Sequence, residues 1–423
     1  MSAWPLQFAV YGAGDAGAQG AFPALQSFLW AQLRELTRVI TTSRIAGLAQ
    51  LDNVGAPSLR WVLDPRGRYE PHTIRETNTG DPRELVEFCQ WCERTCPADQ
   101  HVLVLSGHGL AFQDSIARDI YSRGAAGPLP IKRAKSLFRS SAVGTRALMM
   151  DESDFLTVPE MRGALAAVAS AYAKGRIDVV VFDACLMSNI ELLYELADIA
   201  GAAVGAVDEI SGAGLNLAGA AQILDGAGPL SAAEIASAFV ASYAPGKASD
   251  SCIAVDLDRA GLDEAVSAFA EFSGLLLADI SNSAELARMC RDALASSSRE
   301  LVRYRSKSLA DLAAVYVALR EIGLPARTLS ALEIAVRKFA ALVIGRRVGQ
   351  DYASALGLSL FAPSSLDQYR TNAADYNALT FAHRTRWAQV LDHLYAPPPS
   401  PELMARSVAA AALPFSAYYA RPA

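Results

Sequence analysis

Two residues in this chain have the type and setting that nucleophilic chemistry needs. Val102-Leu103-Val104-Leu105-Ser106-Gly107-His108-Gly109 is an apolar run that stops at a glycine-flanked histidine. Val179-Val180-Val181-Phe182-Asp183-Ala184-Cys185-Leu186-Met187 is an apolar run that stops at a cysteine. A thiol beside an imidazole suffices for acyl transfer: the thiolate attacks a carbonyl, and the protonated histidine returns a proton to the leaving amine. Glycines around His108 let the backbone approach a substrate and leave its amides free to donate. The backbone amides of Gly109 and Cys185 are the natural oxyanion donors if the two strand ends adjoin. A helix beginning just after Cys185 would favour its thiolate through the helix dipole. Singly, each residue has a plainer reading, as a packing cysteine and a surface or satisfied core histidine. Their joint occurrence at consecutive strand ends sets the pair apart.

The elements around them predict an α/β fold. Residues 6–11 and 58–63 read as short apolar strands with an amphipathic helix over 22–39 between them. A helix over 81–96, with Asp81 as N-cap and Pro82 in its first turn, feeds a strand over 101–105. A helix over 158–173 feeds the unbroken apolar strand 177–182, of the kind buried on both faces of a parallel sheet, and 202–207 follows. This alternation predicts a doubly wound, mostly parallel sheet flanked by helices, with functional residues at the carboxyl ends of its strands. We expect a catalytic core over residues 1–225. A mainly helical region over 226–423 is expected to add strands near 252–257 and 355–361.

At 423 residues, 52% hydrophobic and 19% charged, the chain can bury a large core. A formal net charge of -6 without a concentrated basic face excludes nucleic acid and anionic membrane as main partners. There is no run of about 18 apolar residues and no basic segment ahead of an apolar one at the start, so a cytoplasmic protein is expected. Six cysteines are too few for a disulfide scaffold. Cys89, Cys92 and Cys96 share one helix face with no histidine beside them, and read as packing thiols rather than a zinc site.

The residues so far resemble the clostripain family of caspase-like (clan CD) cysteine peptidases. Members carry an apolar strand ending in His-Gly, a variable region, an apolar strand ending in Asp-Ala-Cys-Leu-Met, and an acidic residue in the next helix. Here these are His108-Gly109, Asp183-Ala184-Cys185-Leu186-Met187 and Glu191. Tyr11, Asp15, Gly80-Asp81-Pro82 with Leu85 and Phe88, and Gly357-Leu358-Ser359-Leu360-Phe361-Ala362-Pro363 with Trp387 also look like family features, so the likeness spans most of residues 6–395. The resemblance implies a caspase-like fold and endopeptidase activity after Arg or Lys. It gives His108 the base role and Cys185 the nucleophile role, and places Asp183 in the pocket for the basic side chain. A guanidinium entering a partly dry pocket needs such a charged, hydrogen-bonding partner; the plainer alternative for Asp183 is a carboxylate that orients the strand end. Many members place a second acid in a Pro-Gly-Asp-Gly loop, where this chain has Ser211-Gly212-Ala213-Gly214. Ala213 cannot supply it, which leaves Asp208 or Glu209 as substitutes. Leu110-Ala111-Phe112 replaces the family's usual residues after His-Gly. Some relatives need calcium. No Asp-rich loop with calcium-ligand spacing is present, so no cofactor is required by this reading and calcium stays optional.

Between Phe112 and Asp154 periodicity fails, and Arg118, Arg123, Lys132, Arg133, Lys135, Arg139 and Arg146 stand among glycines and prolines. Long loops of this kind are commonly functional. Relatives are commonly cut here to mature, so the expectation is a zymogen activated by cleavage at one of these residues, by its own site or by an upstream protease. Its partners would be protein substrates, and a role in bacterial defence is an analogy at family level. Two other functions compete: a thioester-forming transpeptidase with the same chemistry, and a catalytically degenerate scaffold.

Overall fold

The computed structural model describes residues 3–15, 25–40, 44–63, 71–112, 148–149, 151, 154–208, 210, 214–225, 227–300 and 308–395. The strands, in chain order, are β1 (Leu6–Ala13), β2 (Ile45–Asn53), β3 (Ala56–Leu63), β4 (His72–Thr73), β5 (His101–Ser106), β6 (Ile177–Asp183), β7 (Ala200–Gly205), β8 (Ser251–Asp256), β9 (Leu309–Asp311), β10 (Val343–Val348) and β11 (Ser359–Phe361). Among the described residues, nine of them form one sheet in the order β10-β8-β7-β6-β5-β1-β2-β3-β4. The central five, β2 to β7 in that order, run parallel, and the flanking pairs are antiparallel. This is the doubly wound, mostly parallel sheet that the alternation predicted.

Both faces of the sheet are covered. On β5, Val102 and Val104 pack with the helices Gln26–Val39, Leu217–Asp225 and Ala232–Ser242, while Leu103 and Leu105 pack toward Pro82–Thr95, Val158–Ala171 and the later helices. A strand wetted on neither face has no reason to alternate polar and apolar residues, which is why β5 and β6 read as continuous apolar runs. Cys89, Cys92 and Cys96 are buried in that second cluster. Burial pushes the Cys89 thiol up to about 12, so it packs as a small apolar group.

Several elements differ from expectation, among them the short strands β4 and β9, which the sequence analysis did not include. β2, rich in Ala, Gly, Gln and Asp, has weak strand propensity and was not anticipated; pairing between β1 and β3 makes it a strand. A Cβ on its Gly47 would lie 2.7 Å from Ile40 and 2.8 Å from Leu63, so a glycine lets the helix end and β3 close on it. The strand expected over 355–361 is only β11, and it pairs with β9 in a separate two-stranded sheet. β10 was also missed: it is an edge strand with two exposed arginines, Arg346 and Arg347, that mask its pattern. Among the described residues no helix is long and apolar enough to cross a membrane.

Candidate active site

Neighbouring parallel strands β5 and β6 end on the same rung, Ser106 opposite Asp183. Each chain then continues two residues past it, one to His108 and the other to Cys185. The Ser106 hydroxyl donates to Asp183 Oδ2 at 2.7 Å and the Gly107 amide to the Asp183 carbonyl at 3.2 Å, which ties the two ends together. Beyond them Gly109 lies against the Cys185 turn: a Cβ on residue 109 would be 2.6 Å from the Cys185 carbonyl oxygen and 3.0 Å from Ala184 Cβ. Only a glycine allows that approach. His108 and Cys185 are both half-buried, as groups that must meet both a substrate and each other should be.

The turn after the cysteine is sharp. Leu186 has φ +64, a left-handed conformation that a branched side chain adopts only under surrounding constraint. That constraint is on hand: the Leu186 amide donates to the Asp208 carbonyl at 3.1 Å and the Ser188 amide to the Ala206 carbonyl at 2.8 Å. The helix expected to begin just after Cys185 starts later in the chain. The next helix is Ile190–Glu195, six residues long and capped by Asn189, whose side chain takes the Leu192 amide. Cys185 precedes that cap by four residues, outside the first turn where a helix dipole acts. One donor to the sulfur is the Ile210 amide, 3.3 Å from Sγ, on the segment after β7; an N–H aimed at sulfur complements a thiolate.

A model of the clostripain family matches residues 136–394, more than half of the chain. The chain belongs to the clostripain family. It is accordingly a cysteine-type peptidase with the caspase-like arrangement of a mostly parallel sheet flanked by helices. The matched span includes Cys185 and begins after His108. Solved structures with the same fold include an inactive zymogen C11 protease from Parabacteroides distasonis, at 17% identity and TM-score 0.61, covering 91% of this chain and 99% of that one. A secreted C11 cysteine protease from Bacteroides thetaiotaomicron, called iotapain, has 13% identity and TM-score 0.62, covering 91% and 100%. The same organism's secreted C11 protease in complex with an irreversible peptide inhibitor has 17% identity and TM-score 0.57, covering 91% and 99%. No curated protein matches.

With the family established, its late segment acquires a physical reason. Ser188 Oγ donates to the Gly357 carbonyl at 2.6 Å, the Ser359 amide to the Ser188 carbonyl at 2.9 Å, and the Phe361 amide to Glu191 at 2.7 Å. Trp387 Nε1 then donates to the Phe361 carbonyl at 2.7 Å. Residues 357–361 thus clamp the turn that carries Cys185. Glu191 is fully buried at the centre of this clamp, also accepting from Asn189 at 2.6 Å, and burial pushes its carboxyl up to about 7.

Asp183 lies beneath the pair. Its carboxylate is buried and accepts from Ser106, from the Leu215 amide at 2.6 Å and from the Gln32 side chain. Burial raises its pKa and those three bonds lower it, with burial the larger cause. Gly214, at φ +65, covers it so closely that a Cβ there would be 2.6 Å from Asp183 Oδ1. Asp208, one of the two candidates for the second acid, lies in the interior. It is fully buried and takes the Tyr352 hydroxyl, because the chain turns inward after β7 to meet Leu186. Glu209, with 211–213, lies outside the described residues, as do all seven candidate cleavage residues, Arg118, Arg123, Lys132, Arg133, Lys135, Arg139 and Arg146.

The far end of the 112–154 segment is fastened beside the histidine. The Met149 amide donates to the His108 carbonyl at 3.3 Å, Leu148 bridges both Gly109 and Leu156, and Asp151 accepts the Thr79 amide at 2.5 Å. At the near end Phe112 is buried against Phe361 and Tyr376, with ring centroids 5.3 and 5.6 Å away. The Ile210 donor, the Gln32 bond to Asp183 and the Met149 contact left no mark in the sequence, because each comes from a segment remote in the chain.

Proposed function

We propose that this chain is an endopeptidase that cleaves after Arg or Lys, with Cys185 as nucleophile and His108 as base and acid, and that it is made as a zymogen matured by cleavage within 112–154. The observation that carries the reading is the shared Ser106–Asp183 rung, which sets His108 and Cys185 at equal distance past adjacent strand ends. His108 takes the thiol proton, the thiolate adds to the scissile carbonyl, and the tetrahedral oxyanion is met by the amides of Gly109 and Cys185. Collapse to the thioester expels the amine, protonated by His108; water, deprotonated by His108, then adds to the thioester, and the C–S bond breaks to release the acid and return the Cys185 thiol.

The basic preference has its physical support in Asp183. A carboxylate accepts about four hydrogen bonds; among the described residues Ser106, Leu215 and Gln32 supply three, and a guanidinium or ammonium would add a further donor together with a positive charge. Gly214, with no side chain, is the cover through which it would be approached. The zymogen reading is supported by the seven basic residues within the segment and by attachment of both its ends near the site. A relative of the same fold was solved as an inactive zymogen.

Mass spectrometry tests both halves. Intact chain incubated alone should give two fragments cut after Arg or Lys between 112 and 154, and Cys185→Ala should stay whole. A peptide library should be cut after Arg or Lys by the matured wild type only. Full activity of the uncut chain would overturn the zymogen half, cutting after neutral residues would overturn the specificity, and a fully active Cys185→Ala would overturn the site.

A further inference from the structure

The chain leaving β7 lies like a rail along the cysteine turn. Gly205, the last residue of β7, is packed so tightly on it that a Cβ there would be 3.2 Å from the Met187 carbonyl carbon and 3.3 Å from the Ser188 nitrogen. From there the two segments pass in opposite directions. The Ala206 carbonyl accepts the Ser188 amide at 2.8 Å, and the Asp208 carbonyl accepts the Leu186 amide at 3.1 Å. The Ile210 amide then donates to Cys185 Sγ at 3.3 Å. Residues 206, 208 and 210 thus meet the turn in alternation, as one side of an extended chain does. Val207 between them bonds elsewhere, its amide donating to Ser251 Oγ at 3.1 Å.

A side chain of the rail is pinned to a distant part of the molecule. Asp208 is fully buried, and its Oδ2 accepts the Tyr352 hydroxyl. Tyr352 is also buried, in the turn Gln350–Tyr352 that follows β10. That turn is fastened in its own right, with the Gly349 amide donating to the Asp250 carbonyl at 2.8 Å and the Asp351 amide to the Ala248 carbonyl at 2.9 Å. A buried carboxylate goes where its donors are. A stiff aromatic ring anchored in a fixed turn therefore sets the place of Asp208, and with it the backbone that leads to Ile210.

An N–H donor favours sulfur as thiolate over sulfur as thiol, because a negative acceptor makes the stronger bond. Acylation removes the charge and weakens the bond. Such a donor therefore favours Cys185 twice in a turnover, as the attacking thiolate and as the thiolate expelled from the thioester.

We propose that the Ile210 amide holds the Cys185 sulfur as thiolate, and that Tyr352, acting through Asp208, is a positioning residue for that amide. The inference rests on Cys185 as nucleophile, but its readout is the titration of the thiol itself. A fully active Cys185→Ala would remove the nucleophile role, whereas failure of the titration test would leave that role standing. The ionisable groups that neighbouring elements bring to the turn are His108 after β5, Asp183 at the end of β6, Glu191 in the helix that follows, and Asp208. None of these is altered in the two single variants below.

Full-length chain is treated with iodoacetamide over a range of pH, and the alkylation rate of Cys185 is read by mass spectrometry of its peptide. Ile210→Pro, which has no N–H, should raise the pH of half-maximal rate by about 1–2 pH units, the worth of one hydrogen bond to a charged group. Tyr352→Phe, which displaces that donor without deleting it, should raise it by about 0.5–1 pH unit with an unchanged circular dichroism spectrum. In an Asp208→Asn background, where no charge stands at 208, Tyr352→Phe should still raise it, because a hold is lost and not a charge. An unchanged midpoint in folded Ile210→Pro would overturn the proposal. If that variant does not fold, an unchanged midpoint in Tyr352→Phe overturns it instead. A rise that vanishes in the Asp208→Asn background would overturn the positioning role and make the charge of Asp208 the cause.

Discussion

Gly109 approaches Cys185 so closely that a Cβ on residue 109 would sit 2.6 Å from the Cys185 carbonyl oxygen, closer than real Cβ contacts occur. The obstacle is backbone, which cannot swing aside, so Gly109→Ala must push the two strand ends apart. Displacing one oxyanion donor costs on the order of 10²–10³ in kcat. We expect Gly109→Ala to lose about that much, with a smaller change in KM, and to keep its far-ultraviolet circular dichroism. Gly228→Ala is the control, since a Cβ there meets nothing within 4 Å, and it should leave kcat unchanged.

The role of Asp183 is separable from its burial. Asp183→Asn keeps size and loses charge. If the carboxylate receives the substrate's basic side chain, kcat/KM for a peptide with Arg before the scissile bond should fall roughly 100-fold relative to the same peptide with Gln there, about the worth of a charged hydrogen bond in a dry pocket. If it only holds Ser106, Leu215 and Gln32 in place, both peptides should suffer equally. Paired kcat/KM measurements on the two peptides decide between these outcomes.

What the sequence disclosed and what it hid follow one physical divide. Strands β5 and β6 were legible because burial on both faces writes itself as an unbroken apolar run, and their ends marked His108 and Cys185. The Asp81 cap was legible because capping is a local contact, here with the Arg83 amide donating to its carboxylate at 2.9 Å. β2 was not, since neighbouring strands rather than its own residues make it a strand. The inward turn of Asp208 to Tyr352 and the Ile210 amide on the Cys185 sulfur are contacts between distant segments, to which composition and spacing are blind. The helix expected just after Cys185 begins only at Ile190 because the Leu186 turn intervenes.

Glu191 supplies a pH signature. Its folded pKa of about 7 stands above the ordinary value of 4.5, so the native state holds this proton more tightly than the unfolded chain does. The favourable contribution of the protonated form is complete below about pH 4.5, is lost as pH rises toward 7, and stays lost above it. Glu191→Gln removes the titration while an amide oxygen can still accept from Phe361. Between pH 4.5 and 7.5 wild type should therefore lose about 2–3 kcal/mol relative to Glu191→Gln. Urea unfolding of both at several pH values measures that difference, and a gap that does not change with pH would refute it.

The clamp on the cysteine turn should be breakable far from the cysteine. Gly357 has φ +95, and a Cβ on it would lie 2.7 Å from Ile253 Cδ1, while its carbonyl receives the Ser188 hydroxyl. Gly357→Ala therefore meets two costs, a backbone conformation that side chains avoid and a clash with one methyl group. Together they should lower stability by about 2–4 kcal/mol and slow alkylation of Cys185 by an electrophilic probe, because residues 357–361 hold its turn. The two costs can be told apart. Ile253→Val deletes the clashing methyl and alone costs about 1 kcal/mol. Combined with Gly357→Ala it should be less damaging than the sum of the single changes by about 1 kcal/mol, and should restore part of the alkylation rate. Strict additivity in urea unfolding would mean that the backbone angle alone requires a glycine at 357 and that the contact with Ile253 is incidental.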